Sequence, residues 1–288
     1  MTLGTAQLGL AYGINGLTQA PSQEACDKIL SAALAAGVGS LDTASAYGTS
    51  EDRIGNFLAR HPEAHFEITT KLGPQVRTDD KAQVIQAIEA SFERLKRPFE
   101  GLLLHRPDQL ADWKRGLREA LLEVRDRGWV ERFGVSIYSP EELEHTFGFQ
   151  EIVEIQLPSN VFDQRFLQSD VLERAISRGK RLVIRSVFLQ GLLLMDSGDV
   201  AVKQPAASKW VEDWIEHARE LGRGRAEVAF LFVRGTIPSA NIVIGCDTPE
   251  QVQANARLFD ERPLSSSELI KIREVFFGVP HPVYDPRQ

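Results

Sequence analysis

The sequence predicts an α/β protein, a (β/α)8 TIM barrel in a single domain, and three observations carry that prediction. Strand-like and helix-like segments alternate eight times from end to end. No linker, low-complexity tract or repeat interrupts them. Several consecutive apolar runs end in a polar or titratable side chain, as buried parallel strands do when they deliver functional groups at their carboxyl ends. A doubly wound open sheet is the other arrangement with this alternation. It is disfavoured because no strand is followed by a G-x-G-x-x-G turn and the polar strand ends are not gathered at one switch point. A length of 288 residues suits one barrel.

The first strand candidate is 2–6, and a Gly-rich turn leads to a helix from about Ser22, which carries Ile29, Ala33 and Ala36 and closes at Gly37. The second strand, 39–43, is followed by a helix near Ser50 with Ile54, Phe57 and Leu58 on one face. Strand 66–71 precedes a helix opened by Asp79 and Asp80, whose carboxylates favour a helix start. Strand 101–105 precedes an amphipathic helix through Leu117, Ala120, Leu121 and Val124. Strand 132–136 runs into Ser139, Pro140 and Glu142, which supply an N-cap, a helix-start proline and a capping-box glutamate.

Strand 152–157 is followed by a helix through Val171, Leu172, Ala175 and Ile176, and strand 181–188 by a loop to about Ser208. A helix from Trp210 to Leu221, another over 226–233 and the last strand, 242–245, come next. Thr248 to Gln251 reads as a further capping box. The segment 265–288, with Leu269, Ile272, Val275 and Phe276 in one amphipathic helix, is expected to lie as a helix and tail over a barrel face.

With 43% hydrophobic and 25% charged residues, the chain can bury a large core. A net charge of −7 gives no electrostatic case for nucleic acid or an anionic membrane as partner. Cys26 and Cys246 are too few and too separate for a disulfide framework or a zinc spacing, so a reducing cytoplasm is expected. The start of the chain lacks the pattern of a signal peptide, and no stretch reaches the roughly 18 apolar residues of a membrane helix. The histidines at 61, 65, 105, 145, 217 and 281 form no H-x-H or HExxH spacing, and no metal is expected.

Asp42, Tyr47, Lys71 and His105 are the candidate catalytic residues, because they end three successive apolar runs, 40–47, 65–72 and 101–105. A phenol is a weak acid in water and becomes a useful proton donor when a neighbouring ammonium favours phenolate. A buried carboxylate beside that lysine keeps it charged and oriented. The three fit one unit, with Asp42 holding Lys71 and Lys71 tuning Tyr47, while the His105 imidazole hydrogen-bonds a carbonyl oxygen. Such a set protonates an oxygen that is gaining negative charge, and it supplies no hydride. Taken singly, Asp42, Lys71 and His105 read more readily as a helix cap, a rim charge and a core imidazole; taken jointly, the set points to catalysis.

The blocks L-D-T-A-x-x-Y-G-x-S-E at 41–51, T-K-L at 70–72, L-L-H-R-P at 103–107, G-V-S at 134–136 and I-G-x-x-T-P-E-Q-x-x-x-N at 244–255 resemble the aldo-keto reductase family in order and strand placement. The resemblance implies a barrel that binds NAD(P)H without a Rossmann fold and transfers hydride to an aldehyde or ketone. Tyr47 would be the proton donor, Asp42 and Lys71 its tuners and His105 the substrate-orienting residue. Nicotinamide would rest near Gly4 and Thr5, with its carboxamide reached by Ser136 and Gln156. The pyrophosphate would follow Phe188, Leu189, Gln190 and Gly191, and the adenosine end would meet Gly245, Asp247, Gln251 and Asn255.

Three positions depart from the family pattern. Ile137 stands where many relatives have a second carboxamide-binding Asn. Arg185 stands where an aromatic ring commonly stacks on nicotinamide; a guanidinium can stack there, hold an anionic group of the substrate, or pair with a carboxylate inside the barrel. The segment 245–251 has no Lys or Arg for a 2′-phosphate, whereas Asp247 could bond a free ribose hydroxyl, so the reading leans to NAD(H). Arg223 or Arg225 could still reach that site.

Two other classes compete. A Schiff-base lyase or aldolase would use Lys71 as an amine nucleophile, but needs it desolvated with a lowered pKa, and Asp42 opposes that. A cofactor-binding regulatory protein with little turnover draws on Ile137 and Arg185. The expected partner is a small carbonyl compound such as a sugar or hydroxyaldehyde, in a pocket formed by 8–15 (with Tyr12), Tyr47, His105, Tyr138 and the segment after Gly191.

Overall fold

Eight parallel strands pair in sequence order and close on themselves: β1 (Thr2–Gly4), β2 (Ser40–Asp42), β3 (Glu67–Leu72), β4 (Phe99–Leu104), β5 (Val130–Ser136), β6 (Ile152–Pro158), β7 (Arg181–Arg185) and β8 (Asn241–Gly245). The ring closes where Leu3 of β1 meets Ile244 of β8. The computed structural model describes residues 1–14 and 18–285, so Asn15, read as part of the pocket loop, and the tail residues 286–288 lie outside the described residues. The strands are short because each needs only to cross the barrel wall, and their buried leucines, isoleucines and valines pack against the surrounding helices.

Helices fill every crossover, as the sequence periodicity predicts. Gln23–Ala35, Ser50–Arg60, Lys81–Leu95, Arg118–Asp126, Pro140–His145 and Val171–Ser177 follow the first six strands. Ser208–Glu220 and Arg225–Thr236 lie between β7 and β8, and Pro249–Arg257 follows β8. The Ser22 and Asp80 side chains accept backbone N–H bonds from Ala25 and Gln83, and Ser139 and Glu142 form the reciprocal capping box. At Thr248 only half of the box forms. Thr248 accepts from the Gln251 amide, but the Gln251 side chain reaches one residue further back, to the Asp247 N–H at 2.7 Å.

Two strands end at least two residues earlier than expected. β1 stops at Gly4 because Ala6–Gly9 coils into a helical turn. β7 stops at Arg185 because Ser186 takes a left-handed conformation at φ 62. The segment read as loop up to Ser208 contains a kinked run of tight turns over Leu189–Leu194, with left-handed residues at Leu189, Gln190 and Gly191, and a short helix, Ser197–Lys203. These are fixed by burial of Leu192, Leu193, Met195 and Val200 and carry no long periodic signal.

The final helix, Ser266–Phe276, buries Ile272 and Phe276, whereas Val275, expected on its apolar face, is 43% exposed. Phe276 packs among Phe162, Trp214 and His217 at ring distances of 5.5 to 5.8 Å. Beyond it, Tyr284 lies under the Arg165 guanidinium and Asp285 pairs with the same group at 3.3 Å. At the amino ends of the strands Arg132 pairs with Glu67 and Glu154, and Arg181 pairs with the same two carboxylates, around a cavity of about 380 Å³. Among the described residues no helix is long and apolar enough to cross a membrane.

Candidate active site

Asp42 is the last residue of β2, and its backbone carbonyl accepts both the N–H and the hydroxyl of Thr5, each at 2.9 Å. The Thr5 hydroxyl also takes the Ser50 hydroxyl at 2.9 Å, and Thr43 donates to Ser50 at 3.0 Å. This buried hydroxyl chain fixes both ends of the loop that carries Tyr47. The loop is pressed against the turn after β1. A Cβ on Gly9 would stand 1.9 Å from the Tyr47 carbonyl oxygen, and Gly48, at φ +56, faces the Gly9 carbonyl just as closely, so neither position tolerates a side chain. The ring of Tyr47 is thereby placed by backbone packing.

Lys71, in β3, is 1% exposed and Asp42 6% exposed. The ammonium donates to Asp42 Oδ1 at 2.6 Å and to the Thr43 carbonyl at 3.0 Å, and Nζ lies 5.1 Å from the Tyr47 ring centroid. Burial alone would lower the Lys71 pKa, but the Asp42 carboxylate and then the Tyr47 phenol outweigh it and hold the pKa above its ordinary value. That environment is the opposite of what a Schiff-base lysine needs. The second Asp42 oxygen, Oδ2, accepts from Gln156 Nε2 at 2.7 Å, so Gln156, read as a carboxamide ligand, directs its amide nitrogen to the carboxylate.

His105 stands just past β4, edge-on to Tyr47 at 6.2 Å between ring centroids. Burial first, then the positive charges of Lys71 and Arg185, push its pKa down to about 4, so the imidazole is neutral at physiological pH. Its Nδ1 is buried without a hydrogen-bond partner among the described residues. The unfolded chain protonates His105 near 6.5 and the folded chain only near 4, so between these values the unfolded state binds the extra proton and stability falls as pH falls. Urea unfolding at pH 7 and pH 4 is expected to show the wild type losing about 2 to 3 kcal/mol more than His105→Gln. Equal losses would mean that the folded imidazole titrates normally.

A cleft of about 460 Å³ opens beside Tyr47 and Asp42 and brings together most of the residues read as cofactor ligands. Gly4 and Thr5 line it beside Gly245, which pairs with Gly4 across β1 and β8, together with Arg185, Phe188, Gln190, Gly191, Asp247, Gln251 and Asn255. Ser136 and Gln156 pair in register on β5 and β6, are buried, and do not line it. The wall after β7 is strained: Ser186, Leu189 and Gln190 all have positive φ, at roughly 1 to 2 kcal/mol each, and the Gln190 carbonyl accepts the Ile14 N–H at 3.0 Å. In the same cleft Asp247 has a buried Oδ1 with no partner among the described residues, and burial raises its pKa. The Ile137 side chain is fully buried.

The guanidinium carbon of Arg185 lies over the Tyr138 ring, 4.3 Å from its centroid. Its two hydrogen bonds, to the Ser186 hydroxyl and the Ile137 carbonyl, are both 3.4 Å long. Among the described residues it has no carboxylate partner, so the ion pair considered for it does not form. Sequence reading missed Glu51, which is 1% exposed and binds the Thr70 hydroxyl at 2.5 Å and Arg94 Nε at 2.7 Å, bracing the strand of Lys71. Its signal was the glutamate that closes the 41–51 block.

The family model described as "Aldo/keto reductase family" matches residues 1–276. An uncharacterized oxidoreductase of Bacillus subtilis, YqkF, is 23% identical over 93% of both chains. The aldo-keto reductase YhdN of the same organism is 27% identical over 56% of this chain and 51% of its own. Two solved structures share the fold. The aldo-keto reductase AKR11C1 from Bacillus halodurans, in its holo form, has a TM-score of 0.77 at 21% identity, covering 99% of this chain and 94% of its own. The glycerol dehydrogenase AKR11B4 from Gluconobacter oxydans has a TM-score of 0.76 at 22% identity, covering 100% of this chain and 94% of its own.

Proposed function

Because the chain belongs to the aldo/keto reductase family, we propose that it reduces a small aldehyde or ketone to an alcohol with NAD(P)H, and that Tyr47 is the proton donor. The observation that carries this reading is the buried Asp42–Lys71 pair lying against the Tyr47 ring at the edge of the cleft. The nicotinamide, when bound, supplies the hydride to the carbonyl carbon. Tyr47 gives its hydroxyl proton to the carbonyl oxygen as negative charge grows there. Lys71, kept charged by Asp42, stabilises the phenolate that remains. Neutral His105 directs a hydrogen bond at the same oxygen and orients the carbonyl. In the reverse direction the same groups take the proton from an alcohol.

The orphaned Asp247 oxygen supports a dinucleotide in the cleft, and a ribose hydroxyl would satisfy it. It also supports NAD(H) over the 2′-phosphorylated form, since 245–251 has no cation. The two arginines that could compensate are engaged: Arg223 with Glu227 and the Arg262 carbonyl, Arg225 with Asp196. Ser136 remains the candidate for the carboxamide, with Gln156 behind it. The polar surroundings of Tyr47 favour a hydroxyaldehyde or sugar as substrate, and two buried free thiols, Cys26 and Cys246, suit a reducing cytoplasm.

Fluorescence titration with NADH and NADPH, on wild type and Asp247→Ala, tests the reading. Tighter binding of NADH is expected, with Asp247→Ala weakening NADH by about 5- to 30-fold and narrowing the preference. Binding of neither cofactor by the wild type would overturn the reductase assignment.

A further inference from the structure

We propose that Arg185 is an anion anchor, and that the substrate is an aldehyde or ketone carrying a carboxylate or phosphate a few bonds from its carbonyl. The proposal rests on the carbonyl-reducing reading of the same site. Arg185 is the last residue of β7 and lines the same cleft as Tyr47. Its guanidinium carbon lies over the Tyr138 ring and its two hydrogen bonds are at the long limit. A guanidinium has five N–H donors, and the others find no acceptor among the described residues.

The charges around it are already spent. Asp42 is held by Lys71 at 2.6 Å, and Asp163, on the loop after β6, is gripped by Arg165 at 2.8 and 3.1 Å. The Asp42–Lys71 pair is neutral as a unit, and Asp247, which lines the same cleft, has its pKa shifted by burial and not by Arg185, so the Arg185 cation has no counter-ion beside it. It acts on His105, the residue that orients the carbonyl, and is one of the charges that keep that imidazole neutral. A half-buried cation without a counter-ion is costly, and it also opposes the positive charge that builds on a hydride donor as hydride leaves. An anionic group on the substrate removes both penalties, and the free fork of N–H groups matches a carboxylate or phosphate.

The test uses two matched pairs of substrates, butanal with succinic semialdehyde and glyceraldehyde with glyceraldehyde 3-phosphate. Steady-state kcat/KM would be measured with NADH and with NADPH for wild type, Arg185→Leu and Arg185→Lys. In the wild type at least one anionic member should exceed its neutral partner by about 10- to 100-fold; the pair in which it does so identifies carboxylate or phosphate. Arg185→Leu should bring that ratio to near one through KM, and Arg185→Lys, a point charge without the fork, should leave an intermediate ratio. Where Arg185→Leu does not fold, a several-fold drop in the ratio for Arg185→Lys supports the proposal, and an unchanged ratio overturns it. Ratios near one in the wild type for both pairs, or a preference that survives Arg185→Leu, overturn the anchor while leaving the reductase intact. Turnover of none of the four substrates overturns the anchor, and failure to bind either dinucleotide then overturns the reductase reading with it.

Discussion

Tyr47→Phe is expected to lose about 10²- to 10⁴-fold in kcat for carbonyl reduction, the usual worth of a positioned general acid, while its affinity for the dinucleotide should stay within a factor of about three. The substitution removes one oxygen and leaves the ring where the backbone puts it, since the approach of Gly9 to the Tyr47 carbonyl fixes the loop without the hydroxyl. The loss therefore falls on proton transfer and not on assembly of the site. Single-turnover kinetics with saturating NADH would read it directly. Activity within tenfold of wild type would place the donor elsewhere, with His105 the next group in reach.

Lys71→Met costs more than activity. It leaves the Asp42 carboxylate buried with only the Gln156 amide facing it, and breaking a buried pair from one side destabilises by about 3 to 5 kcal/mol. The folded pKa of Lys71 lies above its ordinary 10.5, so the pair's contribution is complete below that value and is lost only as pH rises through the folded pKa. Urea unfolding at pH 7 thus reads the whole effect. The double variant Lys71→Met with Asp42→Asn should recover a large part of it, because the uncompensated charge is then gone, yet should stay catalytically impaired. A single variant as stable as wild type would mean that the pair contributes nothing net to the fold.

Much of this was legible in the sequence for a physical reason. A barrel strand is a short apolar run whose last residue emerges at the ligand face, so Asp42 and Lys71 announce themselves by interrupting hydrophobicity, and His105 by following it. Asp42 and Lys71 meet because β2 and β3 are neighbouring parallel strands, with Asp42 opposite Thr69 and Lys71 two residues further on, on the same face. What stayed hidden is set by groups distant in sequence. Gln156 meets Asp42 across the barrel, 114 residues away. The left-handed turn at Ser186 uses no glycine, so nothing local marks the end of β7. The half-formed cap at Thr248 differs from a full one only in which N–H the Gln251 side chain reaches.

The hydrogen bond from Gln156 to Asp42 joins β6 to β2, and these strands stand diametrically opposite in an eight-membered ring. It is a crossbar. Asp42 borders the ligand cleft on one side and the ionic cavity of Glu67, Arg132, Glu154 and Arg181 on the other, so the bar and the Lys71 pair form a floor between two compartments. The barrel is in that sense a cup and not a pipe. If Tyr47 exchanges a proton, the mouth is the route expected for it, the same opening that a bound ligand would stopper.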